Sequence, residues 1–322
     1  VALTYNDISA ITTNHIIPEI VDEYYKVSPV FTLIFKSEGQ KSFPGGLQIQ
    51  QPIQYAPLKA GAFAPGGTFD ISYVQTDTAM TFNVKFYYAN VTIRATDLAL
   101  NRGPDAKMSY VEEKMINGSQ ALVQSLATDF FSDGQGTVSS QIALDGILAG
   151  YDDGTNYPSY GGISRAAIGS GANTGINGYY QNVAGPLSLT ALQKAYGQAT
   201  FGNHQPNLLA TTQSIYNQIF NKLTPMQRVA DATPDLVSYG YEAIRYNNRR
   251  LVVDQYCPTG YLFGMNTGFL NAWVSDHELF GFGWTGFKEL PNSLDAASQC
   301  VFGGNIVVSA PRLGFILAGI TG

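Results

Sequence analysis

The chain has 322 residues, 45% of them hydrophobic, enough for one large or two modest folded domains with a sizeable core. Eighteen basic against 24 acidic residues leave a net charge of −6, and no basic run reaches four residues, which argues against tight binding of nucleic acid through phosphate neutralisation. Charged residues make up only 13%, about half the usual share, against 34 Gly, 20 Tyr and 18 Phe, a balance that favours a surface covered by subunit contacts over the alternative of a β-rich monomer with a Tyr/Asn/Gln surface.

In chain order, Ile16, Ile17, Ile20, Val21 and Tyr24 fall at helical spacing after Asn14, and Pro29 is expected to close this short amphipathic helix in an extended arm. From Lys41 to Tyr55 the period changes: Leu47, Ile49, Ile53 and Tyr55 alternate with Gln48, Gln50 and Gln54, the pattern of a half-buried strand. A Gly/Pro/Ala-rich tip, Ala56 to Gly67, leads into a second β pattern from Thr68 to Ile93, so the two form a long hairpin with Gly61, Gly66 and Gly67 giving the tip its freedom. Phe82, Val84, Phe86 and Tyr88 share one parity while Val91 and Ile93 take the other, which predicts a bulge or bend near Ala89 and Asn90. A two-stranded arm cannot stand alone in water, so its apolar positions need another surface, and a neighbouring subunit is the natural one.

Pro104 and Asp105 open the strongest helix signal, with Met108, Val111, Met115, Leu122, Leu126 and Phe130 on one stripe and Gly118 placed in it for a close crossing. A helix from there to Ser132-Asp133-Gly134 spans roughly 40 Å. Asp145 to Gly185 is rich in Gly, Asn, Ser and Tyr, an irregular segment in which the glycine pair before Ile163-Ser164-Arg165 marks a tight turn. Order returns with a helix capped by Ser188 or Thr190, a strand at Leu208 to Thr211 and a helix from Ser214 to Leu223. Short strands follow at Arg250 to Val253, Tyr261 to Met265, Val301 to Val308 and Arg312 to Leu317. Irregular alternation of helices and strands indicates an α+β fold.

No constellation announces an enzyme. His15, His204 and His277 have no catalytic or metal-ligand spacing, Asp152-Asp153-Gly154 fits a turn, and Gly169 to Gly175 lacks the lysine and helix of a phosphate loop. Cys257 and Cys300 make no disulfide framework and are expected to be thiols. Arg245, Arg249 and Arg250 read as a solvated loop or ion pair rather than a DNA groove. No apolar run approaches the roughly 18 to 20 residues of a membrane span, and the start lacks a signal-peptide layout, so synthesis in the cytosol is expected; Val1 in place of Met suggests that an initiator or leader was removed.

Several segments, in order, carry a family likeness: Ile16 to Asp22 followed by Ser28-Pro29; Gly45 to Ile53; the Pro104 to Asp133 helix; Leu144-Asp145-Gly146-Ile147; Tyr151 to Arg165 with its Gly-Gly-Ile-Ser-Arg end; Leu209 to Tyr216; and Leu251 to Gly260. Together they resemble the major capsid protein of tailed bacteriophages, of the Hong Kong 97-type fold, over nearly the full chain. The resemblance implies an N-terminal arm (1–38), an extended E-loop hairpin (39–92), a P-domain (93–186) with a spine helix at about 104–131, an axial A-domain (187–305), and a C-terminal strand (306–322) returning to the P-domain. It implies pentamers and hexamers closing an icosahedral head around double-stranded DNA, without sequence-specific DNA binding, catalytic residues, cofactor, metal or membrane. The expected partners are other copies of the chain and a portal protein, with scaffold and decoration proteins as further candidates, and the expected place is the virion capsid, assembled in the bacterial cytoplasm. Contacts between subunits are expected from Leu47, Ile49, Ile53, Phe82, Val84, Phe86 and Tyr88, and Arg165 is expected to make a structural contact, with a neighbouring subunit as one candidate. Lys59 near the tip reads as a flexible solvated lysine rather than the donor of a covalent cross-link. Two rivals stand beside this reading: an encapsulin shell on the same fold, and a glycan-binding or hydrolytic module using Trp273, Trp284, Asp276 and Glu278.

Overall fold

Ser28 begins the described part of the chain. The computed structural model describes residues 28–36, 40–100, 104–134, 143–168, 175–223, 244–291 and 294–321, so the helix expected around Ile16 to Tyr24 lies outside it. Pro29 opens a helix: α1 runs Pro29–Lys36, because proline suits a first helical turn and the Ser28 hydroxyl accepts the Phe31 N–H at 3.1 Å. Val30, Phe31 and Ile34 enter the core.

Two sheets carry the rest. The first is organised on a 13-residue strand, Ala296–Val308 (β15). Along one edge runs Lys85–Ile93 (β4), antiparallel from Lys85 opposite Gly304 to Ile93 opposite Ala296. Along the other run Leu270–Ser275 (β12), Gly281–Trp284 (β13) and Lys288–Glu289 (β14), and Gln40–Phe43 (β1) adds to β12 in parallel. The long helix, Pro104–Phe130 (α3), has the expected 27 residues and packs on β4 and β15. Leu122, Leu126 and Phe130 of its stripe are buried; Met108 lies outside the residues whose side chains are described. Gly118 makes the close crossing: a Cβ there would sit deep inside the Val91 methyl and 3.0 Å from the Trp284 ring. The crossing is onto a sheet, where a side chain at this point would hold the helix away.

The second sheet has the order Tyr179–Gly185 (β7), Phe315–Ile320 (β16), Leu262–Met265 (β11), Leu208–Thr211 (β8), Arg249–Val253 (β10), Ile244–Tyr246 (β9). Helices Leu189–Gln198 (α6) and Gln213–Leu223 (α7) cover it, and their Leu192, Ala195, Ile215 and Ile219 share a core with Leu209, Leu251, Leu262, Phe315 and Leu317. Ser188 is the cap of α6, accepting the Ala191 N–H at 3.0 Å.

The C-terminal segment divides between the sheets: β15 lies under α3, and β16 lies between β7 and β11 in the second sheet. One expectation is corrected by this topology. The bend expected near Ala89 and Asn90 falls instead at Val84. Register between β4 and β15 is unbroken through Ala89 opposite Cys300 and Asn90 opposite Gln299, whereas the buried side switches from Met80 and Phe82 to Lys85, Val91 and Ile93.

Candidate inter-subunit interface

The arm consists of Gln48–Gln54 (β2) and Asp77–Asn83 (β3), paired antiparallel from Gln48 opposite Asn83 to Gln54 opposite Asp77. Its paired part therefore stops at Asn83, and β4 already belongs to the first sheet. Gly45 and Gly46, with φ of +136° and +125°, break the backbone ahead of β2 in a region that side-chain-bearing residues avoid. The root rests on its own subunit: Ile49, Met80 and Phe82 are buried, the Phe82 ring meets Tyr160 at 5.2 Å, and the Thr81 N–H donates to the Gly161 carbonyl at 2.9 Å. Ile49 and Phe82 are thus spent inside the subunit and are not available to a neighbour; Ile53 and Val84 are partly buried against the same core. Leu47 points the other way and is 91% exposed, because the chain is still turning out of Gly46 there.

Beyond the paired strands, residues 55–76 form no helix or strand. Ile71 is 93% exposed, and Leu58, Phe63, Phe69 and Tyr73 are also open to solvent. Phe69, Ile71 and Tyr73 alternate with Asp70 and Ser72, a signal present in the sequence but absorbed into one long predicted strand. The tip is nevertheless organised. Lys59 is not a free lysine: its ammonium pairs with Asp70 and donates to the Ser72 hydroxyl, and the carboxyl of Asp70 is lowered to about 2, first by that lysine and then by Ser72. Phe63 and Phe69 meet edge to face at 4.8 Å. Gly61 and Gly66 lie in open space, Gly66 with φ of +85°, while a Cβ on Gly67 would lie 3.0 Å from the Ala64 carbonyl.

A second apolar surface lies on the face of β4 away from the long helix. Phe86 is 62% and Tyr88 75% exposed there, with Phe280 beside Phe86 at 5.3 Å. Both residues are exposed, unlike Ile49 and Phe82.

The Tyr151 to Arg165 stretch proves to be a buried junction. Asp152 accepts the N–H groups of Gly154, Asn156 and Tyr157 on Oδ2 at 2.9 to 3.1 Å and the Asn156 amide on Oδ1 at 2.8 Å, which winds the loop around one carboxylate. Gly161 and Gly162 turn with φ of +56° and +74°, and a Cβ on Gly161 would lie 2.7 Å from Met80 and 2.9 Å from Phe82, so only glycine lets the arm's root settle here. Tyr160 is buried, with its hydroxyl accepting the Val308 N–H at 3.0 Å and its ring 5.4 Å from the Arg165 guanidinium. Burial pushes the Tyr160 hydroxyl well above its ordinary 10.0. Arg165 is 1% exposed and donates to the carbonyls of Ile176, Ala149 and Gly150. It is a clamp within one subunit; the expected contact to a neighbour is corrected, because the guanidinium is already enclosed.

The glycan rival loses its geometry. Trp273 pairs across from Asn305 and Trp284 from Cys300, on strands along the same edge of β15. Five residues apart along a strand means opposite faces, so the two rings cannot form one sugar platform. Trp284 covers Gly118 instead. Arg249 donates to Gln205 and to the Tyr196 hydroxyl, a structural use. Among the described residues there is no group of three or more His, Cys, Asp or Glu that could hold a metal.

No family model matches the sequence, and no curated protein does. Solved structures do match along the whole chain. The capsid asymmetric unit of cyanophage A-1(L) superposes with a TM-score of 0.74 at 14% identity, over 99% of this chain and 100% of that one. This is the Hong Kong 97-type capsid fold. The capsid of cyanophage P-SCSP1u gives a TM-score of 0.56 at 12% identity, covering 97% and 94% of the two chains. The holo-SrpI encapsulin complex from Synechococcus elongatus gives 0.58 at 10% identity, covering 99% and 96%. At such identities it is the fold that is shared, and the capsid fold sets the surfaces above in order: a hairpin arm, a long helix on a sheet, and a second helix-covered sheet.

Proposed function

We propose that this chain is the major capsid protein of a tailed bacteriophage, a structural subunit that assembles into the pentamers and hexamers of an icosahedral head enclosing double-stranded DNA. The observation that carries this is the arm: on a capsid fold, Ile71, Tyr73, Phe69 and Leu58 stand exposed on a segment whose own subunit offers them no cover. Copies of the same chain supply that cover through heterologous contacts that close by curvature. Leu47 with the tip, and Phe86 with Tyr88, are the surfaces assigned to neighbours, and Gly61, Gly66 and Gly67 let the tip fit unequal surroundings. In this reading residues 1–38 are the N-terminal arm, the E-loop is the hairpin ending at Asn83, the sheet under α3 belongs to the P-domain, and the second sheet to the axial A-domain. A portal protein completes the shell, scaffold and decoration proteins are candidate partners, assembly takes place in the bacterial cytoplasm, and the role is structural rather than catalytic.

Deleting Ala56 to Gly67 tests the central claim. The truncated chain is expected to stay folded by circular dichroism and to give no closed particles by negative-stain imaging; normal particles would refute it. An encapsulin compartment is the second reading, supported by the likeness to the SrpI complex. Particles purified with protein cargo and no DNA would favour it over a phage head.

A further inference from the structure

At the root of the arm a cleft of about 450 Å³ opens between β2 on one side and the turns before β12 and β16 on the other. Its polar lining is Lys41, Gln51, Gln54, Asn271, Ser309 and Arg312, and no acidic residue lines it among the described residues. The two cations are held by rings rather than by carboxylates. The Lys41 ammonium stands 5.4 Å from the Trp273 ring centroid, and the Arg312 guanidinium lies 3.7 Å above Phe201. Neither forms an ion pair among the described residues, where Lys59 with Asp70 is the one salt bridge. Partial burial lowers the pKa of Arg312.

The Ser309 hydroxyl already donates to the Phe269 carbonyl and the Asn271 amide to Ser309, so what the cleft offers a ligand is its two ring-held positive groups, with no carboxylate among its described lining residues. That is the chemistry of a receptor for anionic oxygens. The chain has 24 acidic residues against 18 basic ones, so identical copies packed together bring surplus carboxylates to one another's surfaces. We infer that this cleft receives carboxylate side chains from a second copy of the chain, tying the root of each arm to its neighbour. The inference rests on the shell-subunit reading and adds to it a polar contact distinct from the apolar arm tip.

Particles assembled from a mixture of isotopically heavy and light chains, treated with a water-soluble carbodiimide and digested for mass spectrometry, identify the contact directly, since the reagent joins amines to carboxylates already in ion-pair contact. The expected product is a heavy–light hybrid peptide linking Lys41 to an Asp or Glu; absence of any such link to Lys41 overturns the inference. In a second arm, the double variant K41E/R312E is expected to lower the yield of closed particles by about tenfold or more, since like charges would face each other at every copy. The pair K41R/R312K should assemble like the wild type. Particles from the folded reversal variant at wild-type yield would overturn the cleft contact and leave the shell reading intact, whereas a wild-type chain that stays monomeric would overturn both. If the reversal variant does not fold, the cross-link alone decides. A short DNA duplex that binds the wild-type subunit and is released by the reversal would reassign the cleft to phosphates and likewise overturn the inference.

Discussion

Replacing Arg165 with methionine separates a clamp inside one subunit from a contact between two. Methionine approximates the length of the arginine stem but donates nothing, so the carbonyls of Ile176, Ala149 and Gly150 lose their partners in a site 1% exposed to water. Each buried group left unmatched costs about 1 to 3 kcal/mol. Removing the guanidinium also returns the cost of keeping a cation out of water, several kcal/mol in its own right. The balance is a loss of about 3 kcal/mol of subunit stability, near the low end for breaking a buried charged contact. With a urea dependence of about 3 kcal/mol per M, the unfolding midpoint should fall by about 1 M. Lysine, which reaches one carbonyl cluster but cannot fork to two, should recover part of this. The assay is urea unfolding of the unassembled subunit, followed by tryptophan fluorescence. If R165M keeps the wild-type midpoint and fails only to assemble, the intra-subunit reasoning is wrong and Arg165 belongs to an interface.

Gly118→Ala should lose stability even though alanine is the better helix former by about 1 kcal/mol. The new methyl would run into Val91, a stiff β-branched side chain on a paired strand, and Trp284, and overpacking of this kind costs about 1 to 3 kcal/mol; a raised melting temperature would contradict the close crossing. Asp254 predicts a pH dependence: burial holds its carboxyl above the ordinary 3.8, against hydrogen bonds from Ser28, Tyr256 and Val30. Because the folded state keeps this proton to higher pH than the unfolded chain does, its contribution to stability is fully present below the unfolded value and is lost as pH rises through the folded one. Burial shifts Asp145 in the same direction. The urea midpoint measured from neutrality down to about pH 4 should therefore show a smaller acid-side gain in D254N than in the wild type, and an unchanged slope would refute the assignment. Cys257 and Cys300 are buried free thiols, raised by that burial, so a thiol reagent should label neither in the native subunit and both after unfolding. Labelling of either one in the folded subunit would count against its place in the core.

The long helix was legible because everything that makes it is local: Pro104 in its first turn, a stripe at helical spacing, and a Ser-Asp-Gly stop. The bend in the strand that follows the arm was legible as an event but not at its place. Parity reading assumes that apolar residues face inward, and here Lys85 is buried while Phe86 and Tyr88 face out. Only the partner strand β15 fixes which side is which. The last strand is buried at Phe315, Ile316, Leu317, Ala318 and Ile320, apolar on both faces, so no periodicity could say which sheet it joins. Among the surface residues, Leu47, Phe86 and Tyr88 were found by pattern. The cationic cleft was not, since Lys41 and Arg312 stand far apart in sequence and meet only through the fold.

The Tyr151 to Arg165 stretch looks like a turn because its glycines are visible and its partners are not. Its partners come from every part of the subunit. Thr81 of the arm donates to the Gly161 carbonyl, Val308 of the first sheet donates to the Tyr160 hydroxyl, and Gly178, just before β7 of the second sheet, donates to the Asp152 carbonyl. The Tyr151 ring fills the space beside Gly314, ahead of β16, where any side chain would collide with it. Arg165 then ties Ile176 to the last turn of the short helix Ile147–Gly150, closing the loop on itself. The arm's root is thus seated on a segment whose two glycines admit it and whose buried arginine and aspartate hold the segment together. That pairing of close approach with internal clamping requires glycine and charge within a few residues of each other, which is the pattern the sequence carries.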